Sequence, residues 1–227
     1  MSTTLPPGQR ENPTFPRFGL WPFADRFPNE TTRVELKVWG DVKEELLVDP
    51  REGLPRVETV SDFHCVTTWT RRGLRWGGVR FVDFFEQVLA PRAEPDPRAD
   101  ILVLRGQDGA RTGMRIEDLL SPDVILADTL DGEPLTLAHG APLRLVAPSH
   151  YGYKSIKYLN RIEFRRDDRF RPSAFRFMDH PRARVAHEER GRWIPGPILR
   201  RLYRPLIPTT VKRFAAALEA HEQKDPS

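Results

Sequence analysis

Phe63-His-Cys-Val-Thr-Thr-Trp69 and, a few residues on, Trp76-Gly-Gly-Val-Arg-Phe81 frame the single cysteine of a 227-residue chain. The run from 57 to 70 carries Val57, Val60, Phe63, Val66 and Trp69, residue types that suit a pleated, half-buried surface. It therefore reads as β-structure with His64-Cys65 inside it. One cysteine excludes an intramolecular disulfide framework and any Cys-rich zinc or iron–sulfur site. Three roles stay open for Cys65. It can be a small buried hydrophobe. It can be a nucleophile, which needs a base in reach; His64 is adjacent, but strand neighbours point to opposite faces. It can also be the one protein thiolate on a soft metal whose remaining ligands come from a cofactor.

Outward from this stretch the pattern stays β-rich and broken. Val34, Leu36 and Val38 alternate with Glu35 and Lys37 before Gly40-Asp41, the period of a half-buried strand. Phe81, Phe84, Phe85, Val88 and Leu89 recur at helical spacing, and the helix is expected to end near Pro91. Ala90 to Arg98 reads as a Pro-rich loop, Ile101 to Leu104 as a strand and Gln107-Asp108-Gly109 as a turn. Ile116 to Leu120 suggests a short helix and Val124 to Ala127 a strand, with Asp131-Gly132 a hairpin signal. Leu143 to Ala147 and Ile156 to Phe164 are further strand candidates, and Thr210 to His221 forms a C-terminal helix. Proline, at 22 residues, argues against a helical bundle. The expectation is one mixed α+β domain over 33–185, an extended Pro-rich arm over 1–32 and a basic extension over 186–227.

Charge is unevenly placed. Residues 1–143 carry 17 basic and 23 acidic side chains, whereas residues 144–227 carry 19 basic and 9 acidic. Arginine supplies 30 of the 36 cations, and its planar fork grips phosphate and carboxylate. An anionic partner follows, whether cofactor, nucleic acid or membrane surface. No apolar run approaches transmembrane length, and Met1 to Arg10 lacks the apolar core of a secretory signal. The expected compartment is the cytoplasm.

A second constellation is His139-Gly-Ala-Pro-Leu-Arg144 followed by Tyr151-Gly-Tyr-Lys-Ser-Ile-Lys157. Structurally these are two turns leading into strands. Chemically they gather His139, Arg144, Lys154 and Lys157 around backbone N–H groups, the make-up of a phosphate site. The six histidines show no metal-binding spacing. Arg165 to Arg171 reads as a solvated charged loop. Ile198 to Ile207 mixes apolar and basic residues, and reads either as packing on the domain or as a contact with a membrane surface or partner.

Taken together, the cysteine segment, Leu126-Ala-x-x-Leu-Asp-Gly-Glu-Pro-Leu135, His139-Gly-Ala-Pro-Leu-Arg144 and Tyr151-Gly-Tyr-Lys-Ser-Ile-Lys157 resemble, in order, the motifs of the sulfite oxidase family. Phe15-Pro-Arg-Phe-Gly19 and Met178-Asp-His-Pro-Arg182 are similar to its smaller bacterial members. The resemblance implies that family's β-rich, mixed α+β molybdopterin-binding fold and a two-electron oxygen-atom transfer, either sulfite oxidation or S-/N-oxide reduction. It implies molybdenum held by molybdopterin and by Cys65 as the protein thiolate and catalytic ligand. It implies that His139, Arg144, Ser155, Ile156 and Lys157 hold the cofactor's phosphate, that Phe15, Pro16 and Arg17 close over it, and that Trp69, Arg71 and Arg72 line the substrate's approach. A small-molecule oxygen donor or acceptor and an electron-transfer partner follow, with no nucleic acid expected. The sequence departs from the bacterial sulfoxide reductases at Thr67, where they carry an acid. The reading from another class is a non-enzymatic binding module that uses the basic C-terminal third.

Overall fold

Alternation along the strands decides which side chains reach the core and which reach the site. The structure, a computed structural model, describes residues 4–167 and 179–224. In chain order its strands are β1 (Arg10–Glu11), β2 (Leu36–Gly40), β3 (Leu46–Val48), β4 (Val57–His64), β5 (Trp69–Arg80), β6 (Ile101–Gly106), β7 (Arg111–Arg115), β8 (Ile125–Leu130), β9 (Glu133–Pro134), β10 (Arg144–Val146) and β11 (Leu159–Arg165). The helices are α1 (Phe81–Phe84), α2 (Ala90–Ala93), α3 (Ile116–Leu119), α4 (Gly196–Tyr203) and α5 (Ile207–Lys224).

Two sheets form. In the first, β1, β5, β8 and β10 lie in that order, with β4 paired to β5 and β9 to β8. The second runs β3-β2-β11-β6-β7, with β11 parallel to β2 and antiparallel to β6. The larger apolar cluster draws Val79, Leu126 and Leu145 from the first sheet and Leu36, Val38, Leu104 and Ile162 from the second. Burial of this apolar surface from both sheets is the main stabilising term. Ile125, Ala127 and Val146, one residue out of phase, enter a second cluster with Trp76, against which Phe15 and Phe63 lie. The first sheet is therefore buried on both faces. Its outer face carries the residues of interest.

Three expectations are corrected. The β-run over 57–70 is not one strand: β4 and β5 are antiparallel partners, and Cys65 sits in the turn between them. The helix starting at Phe81 does not stop at Pro91. It widens to a π-type turn over Phe85–Leu89 and continues as α2 to Ala93, where Glu94 takes φ +45°. Proline lacks an N–H and its ring crowds the preceding turn, and the wider turn upstream accommodates it. The final strand begins at Leu159 rather than Ile156, because residues 151–158 close a chain of tight turns.

The other strands and the helices over 116–120 and 210–221 match to within a few residues. Asp131 and Gly132 take φ +53° and +90° between β8 and β9, the twist a two-residue hairpin favours. Arg165 and Arg166, at the start of the Arg-rich segment, pair with Glu163, Asp167, Asp41 and Asp96; residues 168–171 of that segment lie outside the described residues, as does Met178. Ile162 is fully buried on the central strand β11. Ile162→Ala should cost about 2–5 kcal/mol, read as a lower denaturant midpoint with an unchanged slope.

Candidate active site around Cys65

The turn that carries Cys65 is short and heavily bonded. Cys65 N–H donates to Trp69 O at 2.8 Å, Thr68 N–H donates to Cys65 O at 3.1 Å, and Thr68 takes φ +93°. Gln9 of the arm donates to Cys65 O at 3.1 Å. Fully buried Arg190 donates to Val66 O and, at 3.0 Å, to Pro7 O. The turn is thus held from both ends of the chain. Cys65 is 7% exposed, and its Sγ lies 3.1 Å from Thr67 Oγ1. Burial pushes the thiol pKa up, against the opposing pull of the Thr67 hydroxyl and of Arg190 and Lys157. An activated nucleophile needs the opposite shift. His64, meanwhile, turns to Thr70 Oγ1 at 2.8 Å. The base adjacent in sequence is therefore turned away from Cys65, and the geometry builds no Cys65–His64 pair.

The two other motifs are drawn to the same place. Gly152 N–H donates to His64 O at 2.8 Å, and a Cβ on Gly152 would stand 2.3 Å from the Phe63 ring. Only glycine lets the 151–158 turns approach β4 this closely. Gly140, at φ +108°, faces Lys157 in the same manner, 3.0 Å from its Cβ. Arg144 comes from β10, fully buried, and donates to His139 O at 2.8 Å and to Ser155 O at 3.3 Å. Its guanidinium lies over Trp76 and Phe63, 4.8 and 5.5 Å from their ring centres. Lys157 Nζ donates to Ala138 O at 2.9 Å. Ser155 and Ile156 spend their N–H groups on local turns, to Gly152 O and Lys154 O, while Ser155 Oγ accepts from Ala147 N–H at 3.1 Å.

The arm reaches over these residues. Phe15 stacks on His139 with ring centres 4.7 Å apart and meets Phe63, Trp69 and Trp76 edge-on, with Pro16 next to it in the chain. Arg17 is buried, donating to Ala24 O and Arg26 O at 2.7 and 3.0 Å. Helix α5 closes over the arm: Trp21 Nε1–H donates to Thr210 Oγ1 at 2.9 Å, Arg213 pairs with Asp25, and Phe27 stacks on His221. Between the arm, Val66, the 152–158 turns and Phe214 of α5 lies a cavity of about 190 Å³. Arg17, Ser155, Ile156 and Lys157 line it. Arg71 and Arg72 are not among its lining residues; Arg72 lies 3.5 Å from Asp62, and Trp69 belongs to the Phe15 cluster.

Electrostatics give the cavity its character. Burial, then Arg144 and Arg17, lower the Lys157 pKa to about 7. Burial lowers Arg144 to about 9, and burial together with Arg144 and Lys157 lowers His139 to about 4. Among the described residues no carboxylate is ion-paired with Arg17, Arg144 or Lys157; Asp108 is the acid that offsets Lys157, and its own carboxyl is raised by burial. Thr112 Oγ1 and Tyr203 OH, both on the cavity wall, have no hydrogen-bond partners among the described residues, nor have the indole N–H groups of Trp69 and Trp76. Desolvated cations and orphaned hydroxyl groups fit an anionic, polar-edged guest. No group of three or more His, Cys, Asp or Glu among the described residues could hold a metal by itself, so a metal here would take Cys65 and the guest's own donors.

Asp108, Arg111, Tyr203 and Arg190 escape a reading by motif. Asp108 sits inside a turn signal, while Arg111, Tyr203 and Arg190 come from β7, α4 and the 185–195 segment, far in sequence from the motifs.

The family model for the oxidoreductase molybdopterin binding domain matches residues 24–172. The chain belongs to that family. It is a molybdopterin-binding oxidoreductase of the sulfite oxidase type, with molybdenum–molybdopterin as its cofactor. The uncharacterized oxidoreductase YuiH of Bacillus subtilis is 34% identical over 171 residues, covering 74% of this chain and 82% of its own. The protein-methionine-sulfoxide reductase catalytic subunit MsrP of Xanthomonas campestris is 32% identical over 124 residues, 50% of this chain and 38% of that subunit; the chain thus spans well under half of it. The sulfane dehydrogenase SoxCD of Paracoccus pantotrophus has the same fold, with a TM-score of 0.54 at 23% identity over 66% of this chain and 44% of its own. Among the described residues no helix is long and apolar enough to cross a membrane.

The close approach at Gly152 yields a direct test of how the family's cofactor is housed. Gly152→Ala forces the Phe63 ring to move and should cost about 1–3 kcal/mol. It should also lower the molybdenum content of purified protein, read by elemental analysis beside the thermal melt.

Proposed function

We propose that this member of the family is an oxygen-atom-transfer enzyme that reduces an S-oxide, drawing two electrons from a redox partner. The observation that carries the reading is a buried thiol, Cys65, set beside a cavity lined by Arg17 and Lys157, with which no carboxylate is ion-paired among the described residues, although Asp108 lies on the same wall. When bound, molybdenum–molybdopterin supplies the two-electron redox centre that exchanges an oxygen atom with substrate. Cys65 would be the protein's thiolate to the metal. The phosphate would be held by Lys157 and by Arg144 together with His139, beside the Ser155–Ile156 turn, whose N–H groups stay bonded to Gly152 O and Lys154 O, with Arg17, Pro16 and the stacked Phe15 closing the arm above. On this reading the arm 1–32 and the extension 186–227 serve as covers for the oxidoreductase domain 33–185.

Two observations favour reduction of a thioether oxide. MsrP relatives bear that activity in their names, and the cavity's arm side is walled by Phe18, Leu20 and Phe23, which suits a neutral, weakly polar substrate. Sulfite oxidation is the second reading, favoured by Arg111 on the same wall. The binding-module alternative loses its footing because much of the C-terminal charge is paired internally: Arg182 with Asp118, Arg184 with Glu189, Arg190 and Arg200 with Glu188.

Protein from a molybdopterin-competent host should contain molybdenum and reduce methionine sulfoxide with an artificial electron donor. Turnover of sulfite and none of sulfoxides would reverse the direction proposed. Cys65→Ser should abolish turnover and sharply reduce bound molybdenum; undiminished metal in that variant would remove Cys65 from its role.

Lys157 gives a pH signature. In the unfolded chain its ammonium persists to about pH 10.4, but the folded, cofactor-free protein releases the proton near pH 7. Between these values the unfolded state binds more protons, so this group makes cofactor-free stability rise with pH. A bound phosphate restores the charge. Cofactor binding should then take up a proton above pH 7, and Lys157→Met should abolish that uptake, measured by calorimetry in buffers of different ionisation enthalpy.

A further inference from the structure

Residues 190–218 hold seven cationic side chains and no carboxylate. Four large apolar side chains in the same segment face outward: Trp193 at 62% exposure, Ile198 at 51%, Leu202 at 59% and Leu206 at 44%. Ile198, Leu202 and Leu206 recur every fourth residue, so they form one strip along α4 and the turn after it. The opposite face of α4 is committed. Leu199 and Tyr203 are buried, and Arg204 donates to Thr68 Oγ1, in the Cys65 turn, at 3.2 Å. The helix therefore cannot roll to hide its outer strip.

The strip gives way beyond Leu206 to buried Thr210, which accepts the Trp21 indole N–H and so brings Trp21 and Leu20, 47% and 39% exposed, to its far end. Of the cations alongside, Arg200 and Arg213 turn to Glu188 and Asp25. Arg201, next to Leu202, and Lys212 are exposed and have no carboxylate partner among the described residues. Arg10, Arg200 and Arg190 crowd Arg204 and add to burial in lowering its pKa, so the neighbourhood carries an excess of positive charge.

We propose that this strip docks the protein on an anionic lipid surface, with Leu202 at its centre and Trp193 and Trp21 at its ends. An apolar stripe flanked by arginine and lysine, with tryptophan at headgroup level, is the composition of a helix lying in the membrane interface. A protein partner is usually met by a rim of mixed sign that fixes register. Here, once Glu188 and Asp25 are paired, the cations that remain beside the strip, Arg201 and Lys212, are of one sign, which matches a negative surface. With no helix among the described residues able to span a bilayer, the association is peripheral. It brings the side of the molecule that braces the Cys65 turn to the membrane.

The test is co-sedimentation of the full chain with phosphatidylcholine vesicles, with and without phosphatidylglycerol. Binding is expected only with phosphatidylglycerol, falling as salt is raised, with a blue shift of tryptophan fluorescence that Trp193→Ala diminishes. Leu202→Glu should weaken partitioning about tenfold, and Arg201→Glu should weaken it and flatten its salt dependence. Both sites are exposed, so the melting temperature should hold. Absence of binding to the anionic vesicles would overturn the proposal, as would binding that Leu202→Glu leaves intact. Self-association without lipid that Leu202→Glu abolishes would assign the strip to a second copy of the chain, and overturn it too.

Discussion

A guanidinium with no carboxylate paired to it among the described residues organises this molecule. Arg144 is buried between the Trp76 and Phe63 rings and bonded to the carbonyls of His139 and Ser155. One side chain thus touches both strands that flank the Cys65 turn and both turns of the cationic wall. Burying such a charge is costly, and the backbone carbonyls and aromatic faces offset only part of that cost; its pKa is accordingly drawn down. A site that keeps this arrangement is poised for an anion. The glycines at 140 and 152 exist in the service of the same convergence, since each removes a side chain that would hold one segment away from another.

The framework around that charge was legible in the sequence wherever a local rule sufficed. Alternation marked β2, and Asp131-Gly132 marked the β8–β9 hairpin, because both signals are complete within a few residues. Of the cations in the motifs at 139–144 and 151–157, Arg144 and Lys157 both bond carbonyls of the 138–139 turn, whereas Lys154 turns to Gly113 O and Asp179 and the backbone N–H groups of Ser155 and Ile156 are taken by local turns. What the sequence hid depends on distant partners. That Cys65 occupies a turn rather than a strand is decided by Trp69, Thr68, Gln9 and Arg190 acting together. The continuation of the helix past Pro91 depends on a change of helical pitch that no single residue announces.

The arm was legible only as proline-rich and aperiodic. In the fold it supplies β1 to the first sheet, Phe15 to the aromatic cluster and Arg17 to the cavity. None of these roles follows from its own pattern, because its apolar residues find their complement in α5 and β5 rather than in one another. The Arg-rich end of the chain presents the converse case. Its composition suggested an external anion, yet many of its described arginines are consumed by Glu188, Glu189 and Asp118.

The bond between Trp21 and Thr210 joins residues 189 positions apart. Closing a loop of that length from an open chain costs on the order of 4–5 kcal/mol in entropy, more than one hydrogen bond, one ion pair and one ring stack return. The clasp over the cavity is therefore a late event in folding, formed once the sheets have already brought the two ends near. What the clasp adds to the native state is therefore only what its own contacts contribute, since the sheets have already taken up the entropy cost of bringing the ends of the chain together.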